Sequence, residues 1–354
     1  DVVIEEIAHR AKSHFAPTSV ERWEQADALS SSSTTSVEVA RHLHLGRGRR
    51  LSVDAACASS LLALDVAARR LQQGECDAAV VGGVAFNLLP EYYISLSVLG
   101  ALSRDGATPL SAQSDGFVPA EGAGAVVLKR LDVAQRDGDP ILAVVRGLGT
   151  SSDGNDNSVF APSRDGQRRA MTRALEQAQL DPASVDYVEL HGTGTTLGDQ
   201  VELQSVAEVY GDREPMRPLS VGSVKAQVGH TSSASGMLGL IRSVLSLESA
   251  RLHPHAARQL EPAVACRGLE LGLALRTWTT PEGAVRRAGV SAVGLGGVNY
   301  HVVLEQSANS PSPDSIALAP PAGLTASCHR LSMAPLQLSA EPALPVRGVE
   351  IGVI

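Results

Sequence analysis

Cys57 stands in the run Val53-Asp54-Ala55-Ala56-Cys57-Ala58-Ser59-Ser60, where a thiol can serve as a nucleophile. The residues before it, 51–55, read as a short buried strand. Those after it read as a helix with apolar Leu61, Leu62, Leu64, Val66, Ala67 and Leu71. Unpaired backbone N–H groups and the positive helix end converge at such a turn. They are expected to favour thiolate and lower the thiol pKa below its free value of ~8.5. Taken alone, the turn reads equally well as a small buried core cysteine. Two histidines stand in comparable places. His191 opens His191-Gly192-Thr193-Gly194-Thr195 after the apolar run Val185 to Leu190, and His230 closes Gly222-Ser223-Val224-Lys225-Ala226-Gln227-Val228-Gly229-His230 before a helix. A histidine at a strand end among glycines is placed for access rather than packing, although either one alone reads as structural. Their spacing from Cys57 is too wide for a local metal motif and fits residues that converge from separate strand ends. A further glycine turn, Gly294-Leu295-Gly296-Gly297-Val298-Asn299, lacks the dinucleotide-binding spacing before a helix and can present N–H groups to an oxyanion.

The elements that must position these residues alternate in type. Strands are expected at 78–82, 123–129, 141–149, 185–190, 219–224, 285–293 and 300–305. Helices are expected at 59–73, 91–99, 164–179, 199–210 and 233–248, so the pattern is one of α/β layers. The Ser/Thr-rich stretch 20–36 reads as a loop, and 307–323, with four prolines, as a linker. The chain has 354 residues, 44% hydrophobic, enough for a sizeable core. A net charge of −8 and 3% aromatics argue against a nucleic-acid surface. No apolar run reaches membrane-spanning length. The cysteines Cys57, Cys76, Cys266 and Cys328 are scattered, which favours a reducing, cytoplasmic setting without structural zinc or a disulfide framework. Cys76 and Cys328 read as structural or linker cysteines, and the acidic pairs Asp153/Asp156 and Glu5-Glu6 as solvated.

Together these motifs resemble the β-ketoacyl synthase (ketosynthase) domain of modular type I polyketide synthases, a domain also used in fatty-acid synthesis. The resemblance spans Leu51 to Glu305. It rests on Val53 to Ser60, Gly116 to Arg130 with Glu121-Gly122-Ala123-Gly124, His191 to Thr195 followed by Gly198-Asp199-Gln200-Val201-Glu202, Lys225 to His230, and Ala288 to Glu305. It implies a thiolase-like fold, five layers α-β-α-β-α, built from two related halves. It also implies decarboxylative Claisen condensation of an acyl chain on Cys57 with a malonyl-type extender on acyl carrier protein. By the same resemblance Cys57, His191 and His230 are catalytic and Lys225 supports the histidines. The N–H groups of Cys57 and Leu295 form the oxyanion hole, and Thr193, Thr195, Leu295 and Asn299 meet the phosphopantetheine arm or substrate. No metal or redox cofactor is implied. The implied partners are acyl carrier protein, acyl and malonyl-type thioesters, other synthase domains in cis and a second copy in a homodimer, with no nucleic acid or membrane.

The chain departs from the family pattern in three respects. Ala55 and Ala58 stand where the family motif has Thr and Ser. Leu295 replaces a frequent aromatic gate, and Val298 replaces Thr. The segment before Cys57 is short for a complete domain, so the first half is expected to lack its opening strands and helices. The expected division is 1–136 for the first half, 137–306 for the second and 307–354 for a linker toward a following domain. The rival reading is an inactive remnant that binds carrier protein or completes a dimer. A degradative thiolase would need a second cysteine near the glycine turn at 294–299, and none is there.

Overall fold

The computed structural model describes residues 36–37, 39–41, 43, 45, 48–87, 89–154, 161–211, 217–256, 268–281 and 283–307. The expected loop 20–36, apart from Ser36, and the linker beyond Ser307 lie outside these residues, as do Cys266, Cys328, Asp156 and Glu5-Glu6. The chain divides into two units, Asp1–Val53 and Asp54–Ile354. In the first, a helical turn carries N–H bonds from Leu43 to the Val39 carbonyl (2.9 Å) and from Leu45 to the Ala40 carbonyl (2.9 Å).

In the second unit the helices are α1 (Ser59–Gln72), α2 (Pro90–Val98), α3 (Leu131–Asp137), α4 (Arg164–Ala178), α5 (Thr196–Tyr210), α6 (Lys225–Val228) and α7 (Ser235–Ser249). The strands are β1 (Ala78–Ala85), β2 (Gly122–Lys129), β3 (Ala143–Ser152), β4 (Tyr187–Glu189), β5 (Leu219–Gly222), β6 (Arg251–Leu252), β7 (Leu269–Leu271), β8 (Arg276–Thr277), β9 (Arg287–Gly294) and β10 (Val298–Gln306). Most expected elements are present within a few residues. Residues 51–55 form no strand. Instead, side chains hold the end of this stretch: Asp54 Oδ1 accepts the Ala56 N–H (2.8 Å), and Ser59 Oγ accepts the Ala55 N–H (2.9 Å). Helices α3 and α6 and strands β6, β7 and β8 were not expected, because each is too short to show a hydrophobic period.

A mixed sheet runs in the order β3-β10-β9-β4-β5-β7, with β3, β10 and β9 antiparallel and β9, β4, β5 and β7 parallel. A separate antiparallel pair joins β1 to β2. Helices α1 and α7 lie between the two sheets, and α4 and α5 cover the other face of the mixed sheet. The core follows strand alternation. Val302 and Leu304 of β10 pack with Leu61 and Leu64 of α1 and Met237 and Leu240 of α7, whereas Val303 packs with Met171 of α4 and Leu203 of α5. Each such fully buried side chain contributes about 1.5–3 kcal/mol relative to exposure. Helix α4 rests on bare backbone at Gly149, where a Cβ would come within 2.6 Å of the Ala174 nitrogen.

Strand β3 lies at one edge of the mixed sheet among the described residues, with β7 at the other, and side chains of α4 bond to the β3 backbone. Gln177 Oε1 accepts the Leu148 N–H (2.6 Å), Arg173 donates to the Thr150 carbonyl (2.6 Å) and Arg169 donates to the Ser152 carbonyl (2.8 Å). Such contacts occupy backbone groups that another strand would otherwise pair with.

Candidate active site

Cys57 sits in a single 3-10 turn, Ala56–Ala58, directly before α1. Ala56 has φ 50°, a left-handed conformation costly for a residue with a Cβ. Local bonds hold it there: Ser59 Oγ donates to the Ala56 carbonyl (2.6 Å), and from α7 Ser235 Oγ donates to the Cys57 carbonyl (3.2 Å). The thiol faces His230, with Sγ to Nε2 at 3.1 Å. The rings of His230 and His191 meet edge to face with centroids 5.7 Å apart. Phe117, from the Gly116 to Arg130 motif, closes against His230 at 5.0 Å, a contact that the motif alone did not reveal. The expected Cys/His/His set is thus assembled from three separate chain segments. The backbone N–H groups of Leu295 and of Cys57 itself face the thiol. Thr193 and Thr195 lie in the next turn, their hydroxyls 3.2 Å apart.

Electrostatics in this site differ from the expectation at the thiol. Burial pushes the Cys57 pKa up; Lys225 and the two amides pull it back without overcoming burial, and Asp54 adds to the rise. The expected depression fails because the turn is covered, and desolvation outweighs the backbone donors. Burial, followed by Lys225, lowers His230 to about 3, and burial, Lys225 and His230 hold His191 well below its ordinary value. Both rings are therefore neutral near pH 7. Their Nδ1 atoms are buried without a protein partner. Lys225 is itself buried, which lowers its pKa, while Glu189, Glu202 and Asp199 act in the opposite direction.

Those three carboxylates are the main positioning groups that sequence reasoning left without a role. Glu202 accepts the N–H groups of His191 (2.6 Å) and Gly192 (2.7 Å), and burial raises it to about 7. Asp199 accepts the N–H groups of Gly194 (3.1 Å) and Leu110 (2.6 Å), and burial raises it to about 6. The two are three residues apart on α5 and so share a face. That spacing, just after the glycine turn, was the available signal. Glu189 accepts the Val224 N–H (2.5 Å) and the Tyr187 hydroxyl and pairs with buried Arg242 (3.2 Å).

The glycine turn after β9 is tethered from β3. The Asp153 N–H donates to the Gly297 carbonyl (2.8 Å), and Asn299 Nδ2 donates to Asp153 Oδ1 (2.6 Å). One expectation changes here. Asp153 is not a solvated surface acid; partial burial raises its pKa. Asn299 is buried; its Nδ2 donates to Asp153, while its Oδ1 has no hydrogen-bond partner. Leu295, by contrast, is 58% exposed at the tip. Cys76 is half-buried and packs against the core between the sheets. Among the described residues there is no group of three or more His, Cys, Asp or Glu able to hold a metal, and no helix is long and apolar enough to cross a membrane.

Comparison with known proteins places the chain in a family. The family profile of the β-ketoacyl synthase N-terminal domain matches residues 8–134, and that of the β-ketoacyl synthase C-terminal domain matches residues 142–258. The spectinabilin polyketide synthase system protein NorC of Streptomyces orinoci is 42% identical over 307 residues, covering 85% of this chain and 13% of that protein. Erythronolide synthase EryA3 of Saccharopolyspora erythraea is 41% identical over 295 residues, covering 80% of this chain and 9% of that protein. The ketosynthase from module 6 of the bacillaene synthase of Bacillus subtilis 168 superposes with a TM-score of 0.75 at 36% identity, covering 79% of this chain and 51% of its own. The chain thus spans a small part of these curated relatives and about half of the solved ketosynthase. It belongs to the β-ketoacyl synthase family, as a ketosynthase of the polyketide synthase type with the thiolase-like fold.

Proposed function

We propose that the chain catalyses decarboxylative Claisen condensation of a Cys57-bound acyl chain with a malonyl-type extender on acyl carrier protein. The observation that carries this reading is the 3.1 Å approach of His230 Nε2 to Cys57 Sγ, with His191 beside it. In the first half-reaction the sulfur attacks the incoming thioester carbonyl. A new C–S bond forms, the carbonyl's bond to the carrier sulfur breaks, and the carrier leaves as a thiol bearing the proton that Cys57 gives up. In the second, the malonyl C–C bond breaks and CO2 departs, leaving its electron pair as an enolate. His191 and His230, being neutral, donate N–H to the enolate oxygen without surrendering a proton beforehand. The enolate carbon attacks the acyl carbonyl, whose oxyanion meets the N–H groups of Cys57 and Leu295. Collapse expels the Cys57 thiolate. Thr193, Thr195 and exposed Leu295 line the approach of the phosphopantetheine arm, and Lys225 holds the electrostatic setting of both histidines. Residues 1–136 and 137–306 serve as the two halves, 307–354 as a connector to other synthase domains, in a cytoplasmic homodimer.

The test is intact-mass analysis after incubation with an acyl thioester, together with CO2 release from malonyl carrier protein. An acyl adduct lost in Cys57→Ala, and His191→Ala and His230→Ala variants that load but release little CO2, are expected. An adduct that persists in Cys57→Ala, or wild-type CO2 release in both histidine variants, overturns the reading.

A further inference from the structure

Beyond the Cys57–His191–His230 set the chain buries a histidine that the condensation does not touch. His255 follows β6 and is 2% exposed. Its Nδ1 accepts the Ser223 N–H at 3.1 Å, and its Nε2 lies 2.9 Å from the Pro109 carbonyl oxygen. One partner can only donate and the other only accept, so the partners set the tautomer: Nδ1 is bare and Nε2 carries the proton. An imidazolium would turn a second N–H toward the Ser223 N–H. Burial and Arg242 act in the same sense and lower the ring to about 4. The His255 N–H is itself tied to the Gly272 carbonyl (2.6 Å), which anchors the residue to the body of the unit.

The two partners of the ring are each joined to the site. Ser223 Oγ donates to the Gly192 carbonyl (2.8 Å) and accepts the Lys225 N–H (3.3 Å). Leu110, next to Pro109, donates its N–H to Asp199 (2.6 Å), which also holds Gly194. One ring therefore links three segments distant in sequence: Pro109-Leu110, the His191-Gly192 turn and the Ser223–Lys225 turn. A histidine that merely satisfies itself in a core needs no such set of partners.

Resting on the condensing function proposed above, we propose that His255 is a positioning residue of the site: its ring keys the Lys225 and His191 turns to the Pro109 segment, and so fixes where the Lys225 ammonium stands relative to the two site histidines. The role falls chiefly on the decarboxylation half: the Cys57 turn is held by a different set of bonds, from Asp54, Ser59 and Ser235, and Lys225 reaches the thiol only through its charge.

The experiment compares wild type, His255→Leu and His255→Gln in the full chain, measuring acyl loading by intact mass, CO2 release from malonyl carrier protein, and thermal melting. Glutamine keeps one acceptor and one donor on a planar group; leucine keeps neither. His255→Leu is expected to load within about threefold of wild type and to release CO2 at least about tenfold more slowly, a loss that follows from sub-ångström misplacement of a catalytic group. His255→Gln is expected to restore CO2 release to within about threefold of wild type. Wild-type CO2 release in His255→Leu overturns the proposal. So does a parallel fall of loading and CO2 release, or a glutamine variant no better than leucine. If His255→Leu does not fold, Ser223→Ala carries the test: it must show the same split, and unchanged rates overturn the proposal. A wild-type chain that neither loads nor releases CO2 refutes the condensing function itself, whereas wild-type activity with no split in the variants refutes the role of His255 alone.

Discussion

Gly294 is where the two backbone donors facing the thiol come closest to sharing a support. A methyl group built on it would overlap the Ala55 carbonyl oxygen and lie 3.3 Å from its carbon and 3.4 Å from Ala58 Cβ. Both obstacles are backbone or Cβ atoms, so no side-chain rotation relieves them. Gly294→Ala must therefore push the Cys57 turn and the Leu295 turn apart by on the order of 1 Å, a misplacement that typically costs about a hundredfold in rate. The Ala55 carbonyl also accepts the Ala58 N–H at 3.0 Å, a bond of the turn itself. Overpacking of this kind destabilises by about 1–3 kcal/mol, well inside a typical margin of about 5–15 kcal/mol. Gly294→Ala should thus fold, with a lowered melting temperature, and condense about a hundredfold more slowly. Gly272→Ala is the control, since no atom lies within 4 Å of a Cβ there, and it should match wild type. The assay is single-turnover condensation with pre-loaded enzyme, alongside thermal melting. A folded Gly294→Ala variant that condenses within about threefold of wild type would refute the reasoning, because the two turns would then not need their present separation.

Three further outcomes follow from the same contacts. Lys225→Met removes the charge that lowers Cys57, so the pH midpoint of iodoacetamide alkylation at Cys57 should move up; an unchanged or lower midpoint counts against it. In Glu202→Gln the raised carboxyl disappears. Wild type holds that proton in the folded state up to about pH 7 but loses it at 4.5 when unfolded, so this group's contribution is full below 4.5 and is lost as pH rises through 7. Urea titrations should show wild type losing up to about 3 kcal/mol more than the variant between pH 5 and 8, and parallel curves would contradict this. Arg242→Met strands Glu189 in the core and frees the His253 and Pro254 carbonyls, each bonded at 3.0 Å. It should cost about 3–5 kcal/mol in urea unfolding, while the Glu189→Gln/Arg242→Met double variant costs less than the sum of the single changes. Additive losses would exclude the coupling.

The Cys57, His191 and His230 set was legible in the sequence because each member stands at a recognisable junction of elements. His191 and His230 stand beside glycine turns, and Cys57 precedes a clear helical period. The alternation of elements was legible for the same reason that strands and long helices have periods. The setting of the groups was not. Whether Glu189, Asp199 and Glu202 are solvated or buried depends on segments far apart in the chain, 89 residues in the case of Asp199 and Leu110. The direction of the Cys57 shift depends on how completely the turn is covered, which no local pattern encodes. Asp153 looked like a surface acid because its neighbours Ser152 and Gly154 are polar or small, yet its partners Asn299 and Gly297 come from the far end of the chain.

The helix that closes the β3 edge of the mixed sheet behaves as a ruler laid against a strand. Gln177, Arg173 and Arg169 are spaced by four along α4, while Leu148, Thr150 and Ser152 are spaced by two along β3. Four helical residues advance ~6 Å and two strand residues ~6.6 Å, so the scales nearly agree. The drift reaches ~1.2 Å over these two steps and ~2 Å over a third, beyond what hydrogen-bond distances tolerate without a longer reach. The next residues on each side, Asp165 and Asp181, are already engaged, with Arg168 and with the Ala183 N–H. The length of edge that α4 can seal is therefore set by commensurability, at about five strand residues. Sliding α4 by a single residue would put all three side chains out of register with their backbone partners together.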